Sequence, residues 1–274
     1  MPFTADTFAG KRALVTGSSR GTGRLIALTL ARHGADVIVS YKANAEMAQK
    51  VVDEIKAMGR DAIAIGADQE DPRQIEALFN EIDQTYGELD IFVANAAATA
   101  FKSTMELKEH HIDRTFGLNV RGFVLAAQGA ARLMDGRGGR IVAISGYGSI
   151  RVLPGYAALG SAKAAIEQWV KYLAVELAPK GIHVNGINPG LLITDSSDVF
   201  FGRSGAAEKE HVIGLTPQQR ATDPQAVADL TAFLCSPLAE YICGQTIVVD
   251  AGLTLVAPPY PGEWVARLSG SHGG

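Results

Sequence analysis

Short apolar, β-branched runs alternate with longer amphipathic stretches along almost the whole chain. The runs at 12–16, 36–40, 61–65, 90–94, 140–145, 182–187 and 246–249 read as strands, being too short for helices and rich in Val and Ile. Neighbouring residues within them are apolar, so both faces of each strand are expected to be covered. Between them, apolar residues recur at helical spacing over 21–33, 43–58, 72–86, 108–133 and 156–178. Asp71 followed by Pro72 predicts a capped helix start with proline in the first turn. This order predicts a parallel sheet with helices on both faces, one doubly wound α/β domain over residues 1–256. Two segments break the rhythm: 195–220, polar and mixed, and the tail 257–274, rich in Pro and Gly.

Composition narrows the classes. The chain has 274 residues, 47% hydrophobic and 20% charged, enough to bury one large core and too apolar for extensive disorder. A net charge of −4 offers no basic footprint, so no nucleic-acid partner is expected. The longest uncharged stretches, such as 122–131 and 182–194, are too short or too polar to span a bilayer, and no membrane partner is expected. The start MPFTADTFAGKR lacks the basic head and apolar run of a secretory leader. Cys235 and Cys243 are too few to staple such a fold, which points to a reducing cytoplasm. His110 and His111 are adjacent in a helical pattern and cannot share one face, so no metal site is expected. Glycine, at 30 residues, is the informative excess.

The first strand runs directly into TGSSRGTG, residues 16–23, and then into a helix. Such a turn needs glycine where φ is unusual and where the backbone approaches a pyrophosphate; the helix start then offers free N–H groups and a positive dipole end. Gly17, Ser19, Arg20, Gly21 and Gly23 are the candidate phosphate-binding residues. The spacing T-G-x-x-x-G-x-G resembles that of the short-chain dehydrogenase/reductase family, and the resemblance runs from residue 11 to residue 255. It implies a Rossmann-type sheet of about seven strands. It also implies that Asp68, in GADQED, lies near the adenine, and that Asn95, in ANAAAT, lies beside the cofactor, with Ala97 where the family usually has glycine. Asn119 in LNVRG matches the asparagine of the family's catalytic tetrad; Pro189, Gly190 and Thr194 in NPGLLIT match the segment against the nicotinamide. GQTIVVDAG, residues 244–252, matches the last strand.

An acidic residue ending the second strand would bind the adenine ribose hydroxyls and repel a 2′-phosphate. Here Ser40, Tyr41 and Lys42 stand there, with no carboxylate before Glu46, and Arg20 adds a second cation. NADPH is therefore the expected cofactor, with Tyr41 and Lys42 at its phosphate.

The donor motif departs from the family pattern. Lys163 stands in SAKAA, but four residues earlier is Leu159, which has no proton to give; the tyrosine is Tyr156, seven before the lysine. The family's serine position is Gly146, with Ser145 just before it. On a helix, seven residues bring a side chain almost back to the same face two turns away, and relative to a spacing of four the origin shifts about 4.5 Å along the axis. In ketone reduction, the carbon that receives hydride carries the oxygen to be protonated. In an α,β-unsaturated thioester, hydride reaches the β carbon while charge collects on an oxygen two carbons away. A shifted donor suits the second reaction, because donors must point where charge develops.

Tyr-x6-Lys is also the pattern of this superfamily's enoyl-thioester reductases, and residues 148–185 resemble the divergent enoyl-acyl-carrier-protein reductase III type. The resemblance implies NADPH-dependent reduction of the carbon–carbon double bond of an acyl thioester, carried on coenzyme A or on a carrier protein. It gives Tyr156 as donor, Lys163 on the nicotinamide ribose and Asn119 in support, with Tyr147 a second candidate donor. Segment 195–220, with Val199, Phe200, Phe201 and Val212, resembles the family's substrate flap. Two other readings remain open at this point: a 3-oxoacyl-thioester or other carbonyl reductase, and an NADPH-binding protein whose chemistry has lapsed. Family helices matching 108–133 and 156–178 pack between subunits. The small residues Ala157, Ala158, Gly160, Ala162, Ala164 and Ala165, with a tail carrying Trp264, fit a homo-oligomer, a tetramer rather than a dimer.

Overall fold

In β1 (Arg12–Thr16), Ala13 and Val15 pack into one buried cluster and Leu14 into another. That alternation, repeated by Val37 and Val39 against Ile38 in β2 (Asp36–Tyr41), makes a sheet apolar on both faces. The computed structural model describes residues 3–153, 155–192, 210 and 213–255. The other strands are β3 (Ala62–Gly66), β4 (Ile91–Ala94), β5 (Gly139–Ile144), β6 (Ile182–Pro189) and β7 (Thr246–Val249). All pair in parallel, in the order β3-β2-β1-β4-β5-β6-β7.

Helices cover both faces. On one lie α1 (Gly21–Arg32), α2 (Ala45–Ala57) and α7 (Pro224–Cys235), through Ile26, Leu30, Val51, Ile55, Val227 and Leu234. On the other lie α3 (Pro72–Tyr86), α5 (Gly122–Leu133) and α6 (Ala157–Leu177), through Phe79, Phe123, Ile166 and Val170. The winding reverses between β1 and β4, which opens a crevice at the strands' carboxyl ends. The expected fold class is the observed one.

Every expected strand is present, with ends moved by at most two residues. The expected helix 108–133 is not continuous. It runs as α4 (Glu109–Phe116), a wider π turn at Gly117–Arg121, and then α5. Helix α7 was not anticipated, although Asp223 before Pro224 repeats the Asp71–Pro72 start and its carboxylate accepts from Gln225 N at 2.8 Å. Among the described residues no helix is long and apolar enough to cross a membrane. Most of segment 195–220, with Val199, Phe200, Phe201 and Val212, lies outside the described residues, as do Thr194 and the tail 257–274 with Trp264.

Candidate active site

The glycine turn closes one end of the crevice. Gly17 sits at φ +64°, a left-handed conformation that a side chain would strain, and a Cβ there would also stand 3.1 Å from Ala96 Cα. A Cβ on Gly23 would fall onto the Gly17 carbonyl, so the first turn of α1 lies directly against the loop. Asn95 ties the ends of β1 and β4 together: its side-chain amide donates to the carbonyls of Thr16 (3.0 Å) and Gly17 (3.2 Å). Thr16 Oγ1 in turn accepts from the backbone N–H groups of Asn95 (3.1 Å) and Ala96 (3.2 Å). Arg20, the N-cap residue of α1, makes no side-chain capping bond, and no acid occupies the first turn. That leaves the positive end of a helix facing a cradle of bare backbone, which fits a pyrophosphate.

At the end of β2, Lys42 is not a lone cation. Its ammonium pairs with Asp68 at 2.7 Å and stands 4.0 Å from Glu70. Partial burial pushes the Asp68 carboxyl up. The hydrogen bonds from Lys42 and from Glu70 N outweigh it, and Asp68 stays below the usual carboxylate range. The expected phosphate cation and the expected adenine-side acid are thus one ion pair, with Lys42 still half-exposed beside Tyr41.

The other end of the crevice holds the donor candidates. Tyr156 is the N-cap residue of α6, with φ −110° and ψ 4°, and its carbonyl accepts from Gly160 N at 2.8 Å. It precedes the helix rather than riding on it, which corrects the helical-face argument. Its ring stacks on Phe101, centroids 5.5 Å apart at 28°. A Cβ on Gly148 would stand 2.6 Å from Tyr156 Cδ1, so that glycine leaves the slot in which the ring lies. A Cβ on Gly146 would lie 4.0 Å from Tyr156 Oη and 3.7 Å from Lys163 Cγ. The phenol and the lysine stem therefore converge where the family pattern has a serine.

Burial pushes the Tyr156 phenol up to about 12, which keeps it a proton donor. Lys163 is buried and donates from Nζ to Ile144 O at 2.7 Å. Burial lowers its pKa to about 8, against the pull of the Glu167 carboxylate, which raises it. Leu159 is buried in α6 and Tyr147 opens a short 3-10 turn at Tyr147–Ser149. Burial raises the Tyr147 phenol as well, with Arg151 lowering it and Asp250 raising it.

Asn119 explains the broken helix. Its side-chain amide donates to Thr115 O (2.8 Å), the carbonyl four residues back, and to Ala98 O (2.9 Å) beyond β4. A side chain inserted into the helical ladder widens the turn. Its Oδ1 is buried with no hydrogen-bond partner among the described residues. Asn119, Lys163, Thr16 and Gln69 line one cavity of about 20 Å³, the size one water needs. Pro189 ends β6, and Gly190 N donates to Val249 O at 2.8 Å, so this segment edges the crevice beside β7.

Two neighbours of the donor were not foreseen. Phe101 carries no signal beyond being an aromatic after β4. Glu167 lies one helical turn beyond Lys163, and that spacing alone was enough to mark it. Its Oε1 accepts from Ser145 Oγ (2.6 Å), Ser149 Oγ (2.6 Å) and Asn188 Nδ2 (2.8 Å).

A family model described as enoyl-(acyl carrier protein) reductase matches residues 17–254. The chain is 52% identical over 248 residues to the 1-cyclohexenylcarbonyl-CoA reductase of Streptomyces collinus, covering 90% of this chain and 88% of that one. The crystal structure of a short chain dehydrogenase from Burkholderia cenocepacia J2315 in complex with NADP is similar at a TM-score of 0.83 and 39% identity, over 90% of this chain and 99% of that one. An enoyl-[acyl-carrier-protein] reductase (NADH) from Aquifex aeolicus VF5 matches at a TM-score of 0.84 and 28% identity, over 92% of this chain and 100% of that one.

Proposed function

Because the chain belongs to the enoyl-(acyl carrier protein) reductase family of short-chain dehydrogenases/reductases, we propose that it reduces the carbon–carbon double bond of an α,β-unsaturated acyl thioester with NADPH. The observation that carries this reading is the convergence of the Tyr156 hydroxyl and the Lys163 stem on Gly146. When bound, NADPH supplies the hydride for the β carbon. The cradle of Gly17, Ser19, Arg20, Gly21 and Gly23 holds its pyrophosphate at the head of α1. Lys42, positioned by Asp68, and Arg20 offer cations to the 2′-phosphate. Asn95, Pro189 and Gly190 border the nicotinamide.

Tyr156 donates a hydrogen bond to the thioester oxygen, where charge collects as the β carbon is reduced. Lys163 holds the ribose hydroxyls, and its positive charge eases negative charge at the tyrosine. Asn119 supports Lys163 through the small cavity they share. Tyr147, whose phenol burial raises, is the second donor candidate.

We take coenzyme A as the carrier, as in the Streptomyces relative's name, rather than a carrier protein. The test is NADPH oxidation with 1-cyclohexenylcarbonyl-CoA and crotonyl-CoA beside acetoacetyl-CoA. The enoyl substrates should be consumed and the oxoacyl one left.

Both cysteines are free thiols, which suits the cytoplasm proposed for it. Trp169, Tyr172 and Val175 stand exposed on α6, and we assign this face to a homo-oligomer, a tetramer by preference. Light scattering should give a multiple of 28.9 kDa; a fully active monomer at micromolar concentration would overturn it.

A further inference from the structure

One carboxylate oxygen gathers the walls of the donor slot. Ser145 and Ser149 bracket the Gly146–Tyr147–Gly148 turn, and both hydroxyls end on Glu167 Oε1 at 2.6 Å. Asn188, at the end of β6 beside the nicotinamide-facing segment, reaches the same oxygen at 2.8 Å and Ser149 Oγ at 2.7 Å. Glu167 itself stands on α6 one turn beyond Lys163, whose backbone carbonyl also takes Ser145 Oγ at 3.3 Å. Three elements are thus tied at one point: the end of β5 with its turn, the end of β6, and the helix that carries the lysine.

The turn so held is the wall against which Tyr156 packs, since Gly148 lies against its ring and a Cβ on Gly160 would stand 2.7 Å from Gly148 O. Hydrogen bonds to an ionised acceptor are roughly twice as strong as neutral ones, so a carboxylate holds this turn more firmly than an amide would. We propose that Glu167 is a positioning residue of the donor site: its carboxylate fixes the turn 145–149 against α6, and with it the place of the Tyr156 ring, while its negative charge keeps Lys163 protonated. The proposal rests on reading Tyr156 and Lys163 as the donor pair.

The sign of the electrostatic part follows from the neighbours of Lys163. The titratable groups that face it are Tyr156 at the head of α6 and Glu167 one turn on. The packed elements present neutral Ser145, Asn119 and Thr16. The site uses the charged lysine, so function is lost as pH rises through its pKa of about 8. Removing the one facing carboxylate among the described residues favours the neutral amine, and the loss should come at lower pH.

The experiment compares the full-length protein with Glu167→Gln, which keeps the side chain's shape, and with Glu167→Ala. Steady-state kcat and KM for an enoyl-CoA are measured across pH, NADPH affinity is followed across pH by fluorescence, and melting temperature is recorded. In Glu167→Gln the alkaline limbs of both kcat/KM and NADPH affinity should move to lower pH with the melting temperature near the parent's. In Glu167→Ala kcat should fall by up to about 10²-fold, as expected for a misplaced donor, with KM for the thioester changed far less. Superimposable pH curves for Glu167→Gln, or a kcat within about twofold of the parent in Glu167→Ala, would overturn the proposal. A parent that binds NADPH but turns over no enoyl thioester overturns the reaction instead, and the binding curves then decide the role of Glu167.

Discussion

The two ends of the crevice are built on opposite terms. At the β1–α1 end, TGSSRGTG follows its family pattern, and the backbone does what the pattern requires: Gly17 turns at positive φ and Gly23 lets the helix close on the loop. At the β5–α6 end, Gly146 stands in place of a serine, Leu159 in place of a tyrosine, and the phenol enters from the residue that precedes the helix. The cofactor-facing end performs the same task whatever is reduced. The donor end must follow the substrate oxygen, and that oxygen moves when hydride goes to a β carbon rather than a carbonyl carbon. Under the proposed donor assignment, the reaction is set where the chain departs from the family pattern, not where it follows it.

Substitutions at the two ends should separate binding from chemistry. Lys163→Ala touches both and has the largest expected effect: kcat/KM falls by about 10³-fold or more and NADPH binds measurably more weakly. An unchanged NADPH dissociation constant would remove Lys163 from the ribose. Tyr156→Phe should lower kcat by about 10²–10³-fold with NADPH affinity intact, because the hydroxyl acts on substrate alone. If this variant kept its activity and Tyr147→Phe lost it, the donor would be Tyr147.

The glycines give the cleanest opposition. Gly148→Ala drives a Cβ into the Tyr156 ring and should cost up to about 10²-fold in kcat while sparing KM for NADPH. Gly23→Ala drives one into the loop and should raise KM for NADPH while sparing kcat at saturation. Equal damage to both parameters in both variants would erase the distinction between the ends. The smallest expected effect is that of Lys42→Ala. Its ammonium is half-exposed and already shared with Asp68, so the preference for NADPH over NADH should narrow by only about fivefold, or ~1 kcal/mol.

Most of the fold was legible because a sheet covered on both faces leaves unbroken apolar strands, and because its first turn needs glycine at set places. Pro72 at a helix start was read correctly, while the same signal at Asp223–Pro224 was passed over. The break at Asn119 was not legible. It arises from a side chain taking a carbonyl four residues back, and nothing in an amphipathic pattern reports that. The altered spacing of Tyr156 and Lys163 marks them as donor candidates, yet its helical geometry does not apply, because Tyr156 only caps the helix. Lys42 was read as a free cation because Asp68 lies 26 residues on, at the neighbouring strand's end, and sequence distance hides that contact.

The most direct measurement is product analysis of single-turnover reactions with NADPH deuterated at its transferable position, given an enoyl-CoA and, separately, its 3-oxoacyl counterpart. Deuterium should appear on the β carbon of a saturated acyl-CoA from the first substrate in the parent protein, appear about 10²–10³-fold more slowly in Tyr156→Phe, and be absent from the second substrate throughout. Deuterium in a 3-hydroxyacyl product, with the enoyl-CoA recovered unchanged, would contradict the assignment of the donor end to double-bond reduction.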